Sequence, residues 1–180
     1  MSIGAEHPGG VIFRRLQQSE VDAAVAILDA AAEWLLARGI RQWTTTYPRE
    51  LYQRAQEHGE NFGLFDRDRV IAIVTVTTAP PEWEAELRGQ HARWITKLAV
   101  AADCHGRGLG RRLAEEMLDH LRREGAPSAW LDCRNGPLVA FYESLGFVRI
   151  TNKVVEFDTG PLDVVLMKRA LEAGSAPGVG

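Results

Sequence analysis

Three glycines at alternate positions, directly before an amphipathic helix pattern, are the feature that most restricts the fold of this sequence. Gly106, Gly108 and Gly110 lie in the stretch ADCHGRGLGRRLAEEMLDHL, residues 102–121. Glycine adopts positive φ and lets the backbone approach a ligand closely, and the free N–H groups of a helix's first turn attract anions. The helix pattern that follows has an apolar stripe made of Leu109, Leu113, Met117, Leu118 and Leu121. The stretch therefore predicts a phosphate site at the start of a well-packed helix.

The spacing of these glycines excludes two common nucleotide-binding motifs. Counted from Gly106 or Gly108, the third glycine of G-x-G-x-x-G would fall at Arg111 or Leu113. No Gly-Lys-Ser/Thr triplet follows, so a P-loop is also excluded. Guanidinium groups, whose forked donors suit phosphate oxygens, are present at the same end of the helix, at Arg107, Arg111 and Arg112.

Periodicity and turn residues predict the order βααβββαβαββ within one domain, residues 1–171. Ser19 and Asp22 form a capping-box pattern, which predicts that the first helix begins there and ends near Gly39. The second helix is expected between Pro48 and Gly59, and the later helices at residues 109–124 and 137–145. The strands are expected at residues 11–16, 61–66, 70–78, 92–100, 128–133, 147–158 and 162–168. Residues 79–90 are expected to form a loop, and the Gly/Pro-rich residues 172–180 a disordered tail.

Composition limits the classes of partner. The chain has 180 residues, 46% of them hydrophobic, with 21 Lys and Arg against 24 Asp and Glu. A net charge of −3 gives no global field for nucleic acid, and neither a membrane span nor a signal peptide is apparent, so a cytoplasmic protein is expected. Cys104 and Cys133 are too few for a disulfide framework and lack the spacing of a zinc site. We expect two reduced thiols and no metal.

Two motifs resemble those of the GNAT family of N-acetyltransferases. The run from His105 to Gly110 resembles the family's pyrophosphate motif, Gln/Arg-x-x-Gly-x-Gly/Ala, with His in the first position. Downstream, NGPLVAFYESLGF resembles the family's Asn-x-x-Ala-x-x-x-Tyr-Glu-x-x-Gly-Phe segment, with Leu138 in place of Ala. The two motifs come in the family's order, separated by a helix and a strand, and cover roughly a third of the chain.

The resemblance implies an α+β, three-layer fold with a mixed, mostly antiparallel sheet flanked by helices and splayed between two central parallel strands. It also implies acetyl transfer from acetyl-CoA, as acyl donor, to a primary amine by direct attack through a tetrahedral intermediate. A Leu-x-Val main chain, here Leu98 and Val100, would pair with the pantetheine arm, and one of its N–H groups would stabilise the oxyanion. Carried over residue by residue, the donor-binding set is Leu98, Ala99, Val100, His105, Gly106, Arg107, Gly108, Leu109, Gly110, Arg111, Asn135 and Tyr142.

Tyr142 occupies the family's general-acid position, where its phenol would protonate the leaving thiolate. The alternative is a core tyrosine whose hydroxyl is satisfied by the backbone. Asn135 would hold the pantetheine arm or fix the opposing loop; alternatively, it is a turn residue before Gly136 and Pro137.

The general base has no single family position. Candidate carboxylates are Glu82, Glu84, Glu86 and Asp132, of which Glu84 and Asp132 are taken as catalytic candidates. The glutamate run also fits a solvated face, and Asp132 also fits an ion pair with an arginine. Cys133 has no identifiable base beside it, so a buried thiol is expected in place of an acetyl-cysteine intermediate.

The acceptor is expected to be a small-molecule amine, with a protein or aminoacyl-tRNA amine, or a non-catalytic acyl-CoA sensor, as alternatives. The family's variable acceptor-binding segment would fall at residues 31–43. Among the tryptophans, Trp130 is expected in the core and Trp43 or Trp83 in the acceptor pocket. His105 is expected to face phosphate or solvent. The oligomeric state is left open by the sequence, a homodimer included.

Overall fold

One seven-stranded sheet organises the protein. The structure is a computed structural model that describes residues 10–40, 46–157 and 160–171. Its strands are β1 Ile12–Arg15, β2 Asn61–Asp66, β3 Arg69–Thr77, β4 Arg93–Val100, β5 Ser128–Arg134, β6 Val148–Phe157 and β7 Gly160–Ala170. Its helices are α1 Val21–Leu36, α2 Arg49–Glu57, α3 Glu84–Leu87, α4 Leu109–Arg123 and α5 Pro137–Glu143. The spatial order β1-β2-β3-β4-β5-β7-β6 is antiparallel except for the central pair β4–β5, which confirms the predicted fold class.

The predicted helix stripe packs as expected. Leu113, Met117 and Leu121 of α4 are fully buried, in one cluster with β2, β3 and α1. Burying each side chain of this size contributes roughly 1.5–3 kcal/mol. Gly125, at φ 77°, ends the helix in the left-handed conformation that glycine adopts readily. The helix is therefore held firmly, and its N-terminus is fixed relative to the sheet.

Two local predictions are wrong. The first helix is not capped by Ser19 and Asp22: a 3₁₀ turn, Gln18–Glu20, precedes α1, and the Glu20 carboxylate accepts the Gln17 N–H at 2.7 Å. Residues 79–90 are not a plain loop, because they contain a 3₁₀ turn at Pro81–Trp83 and the short helix α3. Trp83 and Leu87 anchor these turns in a second apolar cluster.

The sheet opens between its two central strands. β4 and β5 pair only at Arg93–Ala129 and Trp94–Trp130, after which β5 continues along β7 alone. On its other side, β4 pairs with β3 through a register shift, with the Ala99–Ile73 pair followed by Thr96–Thr75. Lys97 lies in this bulge at φ 54°. An extra residue of this kind bends and twists a strand, which turns the end of β4 away from β5.

Within the described part of the chain, no helix is long and apolar enough to cross a membrane, and no group of acidic, His or Cys side chains could hold a metal ion. The predicted tail, residues 172–180, lies outside the described residues. So does the end of the expected acceptor segment, including Trp43.

Candidate active site

A cleft of about 730 Å³ occupies the opening between β4 and β5. This volume lies in the range of small-molecule sites, about 300–1,000 Å³. The wall on the β4 side runs from Trp94 to Val100, and the wall on the β5 side from Asp132 to Arg134. Further walls come from α1, α5 and the end of the β6–β7 hairpin, through Trp34, Leu35, Leu138, Phe141, Tyr142, Phe157 and Leu162.

The β4 wall of the cleft is an open strand edge. Because β5 leaves β4 after Trp94, the backbone groups of residues 95–100 on that side have no neighbouring strand in the described part of the chain. An extended ligand with amide groups can pair with such an edge as a strand would. Leu98, Ala99 and Val100 all line the cleft, so the structure brings these three predicted residues together.

The glycine turn leads from the end of β4 into α4. Gly106 and Gly108 have φ of 75° and 71°, which side-chain-bearing residues rarely adopt. Gly108 is the N-cap and no side chain caps the helix, so the first N–H groups of α4 stay available to a ligand. Gly110 lies against the strand edge, where an added Cβ would contact Leu98 and Val100 at 3.8 Å.

Three other predicted donor-site side chains are already engaged in the structure. A His105 ring nitrogen lies 3.0 Å from the Val100 carbonyl oxygen, and its ring makes an edge contact with Trp34. The Arg107 guanidinium donates to the Cys104 sulfur, and Arg111 donates to the Ser144 hydroxyl of α5. His105 therefore closes the end of the strand edge. This contact with Val100 has no signal in the sequence.

Strand alternation gives β5 two different faces. Cys133 lies in the cluster formed with α5, which includes Val139 and Leu145. The preceding residue, Asp132, points to the other face, where it meets Trp83 of the second cluster. The opening in the sheet therefore connects one face that carries α5 with another that carries the β3–β4 connection.

Tyr142 of α5 lines the cleft from the Cys133 side. Burial, followed by the charges of Cys133 and Asp132, raises the pKa of its hydroxyl above the usual value, and no hydrogen bond contributes to this shift. Burial, followed by the charge of Asp132, raises the pKa of the Cys133 thiol to about 12, although Arg149 opposes this rise. Tyr142 therefore stays protonated at neutral pH, and Cys133 stays a thiol that donates to the Met167 sulfur, which confirms the buried thiol.

Asp132 is the carboxylate that the structure brings to the cleft from β5. The Trp83 indole N–H donates to its Oδ2 at 2.8 Å. Burial raises the pKa of the Asp132 carboxyl, while the hydrogen bond from Trp83 opposes that rise. A raised pKa makes this carboxylate a stronger base than an ordinary aspartate, as the role of proton acceptor requires. The alternative role for Asp132, an ion pair with an arginine, is not present among the described residues.

The three glutamates are separated by the short turns they lie on. Glu84 lines a different surface depression, beside Pro81 and His91, so the structure does not bring this catalytic candidate to the cleft. Glu86 is paired with Lys153 of β6 at 2.9 Å. Glu82 does line the cleft. In a short helical turn, side chains two positions apart point in different directions, so these glutamates have different surroundings.

Asn135 follows β5 and is tied to β7. Its side-chain amide donates to the Asp163 carboxylate at 2.7 Å, and its backbone N–H donates to the Asp163 carbonyl. It does not line the cleft. Of the predicted alternatives, the structure favours fixing of the opposing segment over a contact with the pantetheine arm.

The tryptophans are distributed differently from the prediction. Trp130 is buried in the core, as expected, but the pocket assignment for Trp83 is wrong, because its side chain is 0% exposed. The aromatic wall comes instead from Trp34, which is 41% exposed and lines the cleft. Its position in the predicted acceptor segment was the one available signal for it.

An open strand edge, a glycine turn at a helix N-terminus and, in one cleft, a tyrosine and a carboxylate form an arrangement that suits an acyl-thioester donor. The sequence matches the model of the acetyltransferase (GNAT) family over residues 24–147, and the chain belongs to this family.

Individual relatives support the same conclusion. The ribosomal protein bS18-alanine N-acetyltransferase of Escherichia coli strain K12 is 38% identical over 77 residues, which are 41% of this chain and 52% of that protein. The mycothiol acetyltransferase of Segniliparus rotundus is 30% identical over 147 residues, 78% of this chain and 52% of that protein. The chain thus spans about half the length of these two curated relatives.

A solved structure shares the fold. An acetyltransferase from Salmonella typhimurium, solved with its cofactor acetyl-CoA, superimposes with a TM-score of 0.68 at 18% identity, covering 94% of this chain and 99% of that one. At this identity, the likeness concerns the fold alone.

Proposed function

We propose that the protein transfers an acetyl group from acetyl-CoA to a primary amine, and that residues 1–171 form the single domain that does so. The observation that carries this proposal is the continuity of the cleft. The open edge of β4 begins beside the glycine turn, where Gly110 lies against Leu98 and Val100, and it lines the same cleft as Tyr142 and Asp132. A long donor with an anionic end and a reactive end fits such a path.

Each part of the path suits one part of acetyl-CoA. The free N–H groups at the start of α4 would bind the pyrophosphate, supported by the helix dipole. The backbone of Leu98 and Val100 would pair with the amides of the pantetheine arm. One main-chain N–H of this bulged edge would stabilise the negative charge that develops on the thioester oxygen.

The chemistry needs one proton acceptor and one proton donor. Acetyl-CoA supplies the thioester carbonyl that the amine attacks. Asp132 would accept the ammonium proton, directly or through a water. Tyr142 would donate its proton to the departing sulfur, and the second proton that the nitrogen loses as the amide forms would return to the tyrosine through solvent. Burial, which raises the pKa of the Cys133 thiol nearby, would also disfavour an unprotonated CoA thiolate.

Two kinds of acceptor remain candidates. The volume of the cleft, about 730 Å³, favours a small-molecule amine. A protein N-terminal amine is the second candidate, because the Escherichia coli relative is named for an alanine of a ribosomal protein. A non-catalytic sensor is disfavoured by the presence of both Tyr142 and Asp132 in the cleft.

The direct test is release of free CoA thiol from acetyl-CoA in the presence of a panel of amines and short peptides. We expect thiol release that depends on an acceptor and yields an acetylated product of equal amount, measured by mass spectrometry. Tight acetyl-CoA binding without release for any acceptor would instead identify a sensor. Absence of acetyl-CoA binding would contradict the whole proposal.

Trp83→Phe is expected to shift the pH profile of kcat/KM. The variant removes the donor that lowers the pKa of Asp132, so that pKa rises further and the acidic limb of the profile moves to higher pH. The charged groups that act on the pKa of Asp132, Glu82 and Lys153, are unchanged, and so are Cys133 and Tyr142, whose own pKa values Asp132 raises.

A matched control for Trp83→Phe is Trp130→Phe. Trp130 belongs to the same apolar cluster, but its indole donates to the Ser128 hydroxyl at 2.9 Å. The Trp130→Phe variant should lose a comparable hydrogen bond, and the acidic limb of its pH profile should stay at the wild-type position. If the acidic limbs of the kcat/KM profiles of wild type and Trp83→Phe coincide, Asp132 is not the general base.

A further inference from the structure

Arg134, the last residue of β5, is a cation without a partner in the wall of the cleft. Its Nη1 atom is buried and has no hydrogen-bond partner, and no ion pair is formed by its side chain within the described residues. A buried donor without a partner costs roughly 1–3 kcal/mol, and more when it is charged. Arg134 as a whole is half-buried and lines the cleft, so an anion bound there would meet a guanidinium that has no counter-ion among the described residues.

Two of the nearby carboxylates are already engaged elsewhere, and Glu82, which also lines the cleft, forms no ion pair with Arg134 among the described residues. Asp132, two residues earlier, accepts the Trp83 indole. Asp163 accepts the side-chain amides of Asn135 and Asn152 at 2.7 and 3.3 Å. Arg134 is thus left as the guanidinium that lines the cleft.

Asp132 and Arg134 lie on the same face of β5. Side chains at i and i+2 of a strand share a face, with their Cα atoms roughly 7 Å apart. This is the face opposite Cys133 and α5, and hence the side away from the proposed acid Tyr142. A molecule entering from this face meets a carboxylate and a guanidinium side by side.

The other walls of the cleft are largely apolar. Phe157, Leu162 and Val164 contribute from the β6–β7 hairpin, and Trp34 and Leu35 from α1. These side chains suit an apolar or aromatic substituent, whereas they offer little to a polar one.

We propose, building on the acetyltransferase function above, that the acceptor is a free α-amino acid with an apolar or aromatic side chain. Its amine lies at Asp132 and its carboxylate is bound by the forked donors of Arg134. The side chain occupies the apolar walls. A protein N-terminus carries a neutral peptide group in place of the carboxylate, so its carbonyl can accept a hydrogen bond from the guanidinium but cannot form the ion pair.

Two series of acceptors that differ in one group test this assignment. The first is phenylalanine, phenylalanine amide and phenethylamine; the second is leucine, leucine amide and isopentylamine. In thiol-release assays we expect kcat/KM to be about 10- to 100-fold higher for at least one free amino acid than for its amide and its amine. In Arg134→Gln this preference should disappear, with KM for acetyl-CoA unchanged.

The matched control is Arg149→Gln. Arg149 of β6 is near enough to affect the pKa of Cys133, but its guanidinium is paired with Glu143 at 2.9 Å. The Arg149→Gln variant should keep the wild-type preference for the free amino acid over its amide and its amine. Wild-type preference for the amides, which would indicate peptide N-termini, overturns the assignment, and so does a rise in KM for acetyl-CoA in Arg134→Gln.

Calorimetry in the presence of CoA separates this assignment from the proposed function. If no acceptor releases thiol, yet a free amino acid binds more tightly than its amine and Arg134→Gln removes the difference, the amino-acid site stands and the acetyl transfer fails. If amines are acetylated without any preference for the carboxylate, the transfer stands and the amino-acid site fails. Equal binding of acid and amine, without turnover, overturns both.

Discussion

Gly108→Trp is expected to weaken acetyl-CoA binding by about 100-fold or more, because the ring would cover the N–H groups that meet the pyrophosphate. Gly108 is the N-cap of α4 at φ 71°, with open space where a side chain would project. The added side chain therefore does not disturb the core, although the left-handed conformation costs about 1–2 kcal/mol. Equilibrium dialysis or calorimetry with acetyl-CoA measures the change.

Gly125→Trp provides the control at the other end of the same helix. Gly125 has φ 77° and likewise has nothing within 4 Å of an added Cβ. The two variants should lose similar amounts of unfolding free energy, whereas only Gly108→Trp should lose acetyl-CoA. Wild-type affinity in Gly108→Trp would mean that the glycine turn is not the phosphate site.

Tyr142→Phe is expected to lower kcat by about 100- to 10,000-fold, the usual contribution of a general acid. Acetyl-CoA affinity should change little, because the phenyl ring keeps its contacts with Phe141 and Phe147. Without the hydroxyl, the leaving thiolate receives no proton in a site where burial already disfavours anions. Steady-state kinetics combined with a binding measurement separates the two effects.

Tyr47→Phe removes the same hydroxyl outside the cleft. Tyr47 lines a separate depression with Leu51 and Arg54, so its loss should leave kcat near the wild-type value. If Tyr142→Phe behaved like Tyr47→Phe, Tyr142 would be a packing residue and another group would protonate the thiolate.

Much of the donor side of the cleft could be predicted from sequence because its signals are local. Positive φ at Gly106 and Gly108 and the stripe of α4 are each encoded within a few residues. The strand order follows in the same way, since alternation and turn residues set each strand separately. The family motifs add Tyr142, whose distance from the glycine turn is fixed by one helix and one strand.

The acceptor side could not be predicted in this way, because its contacts join residues far apart in the chain. Trp83 meets Asp132 across 49 positions, and nothing near either residue marks the pair. Lys97 adopts φ 54° although it is not a glycine, so the bulge in β4 leaves no composition signal. Arg134 becomes a candidate only in the folded structure, which shows that it lines the cleft and forms no ion pair among the described residues.

Because β4 and β5 separate, the sheet has an opening that connects its two faces. In the proposed arrangement, the donor and the acceptor each bind on one face and react through this opening. Substitutions on the side of Arg134 and Phe157 can then change which amine is accepted without altering the glycine turn or the strand edge that hold the donor. Such a protein can diverge in substrate while its reaction stays the same, and its specificity can be redesigned from one side alone.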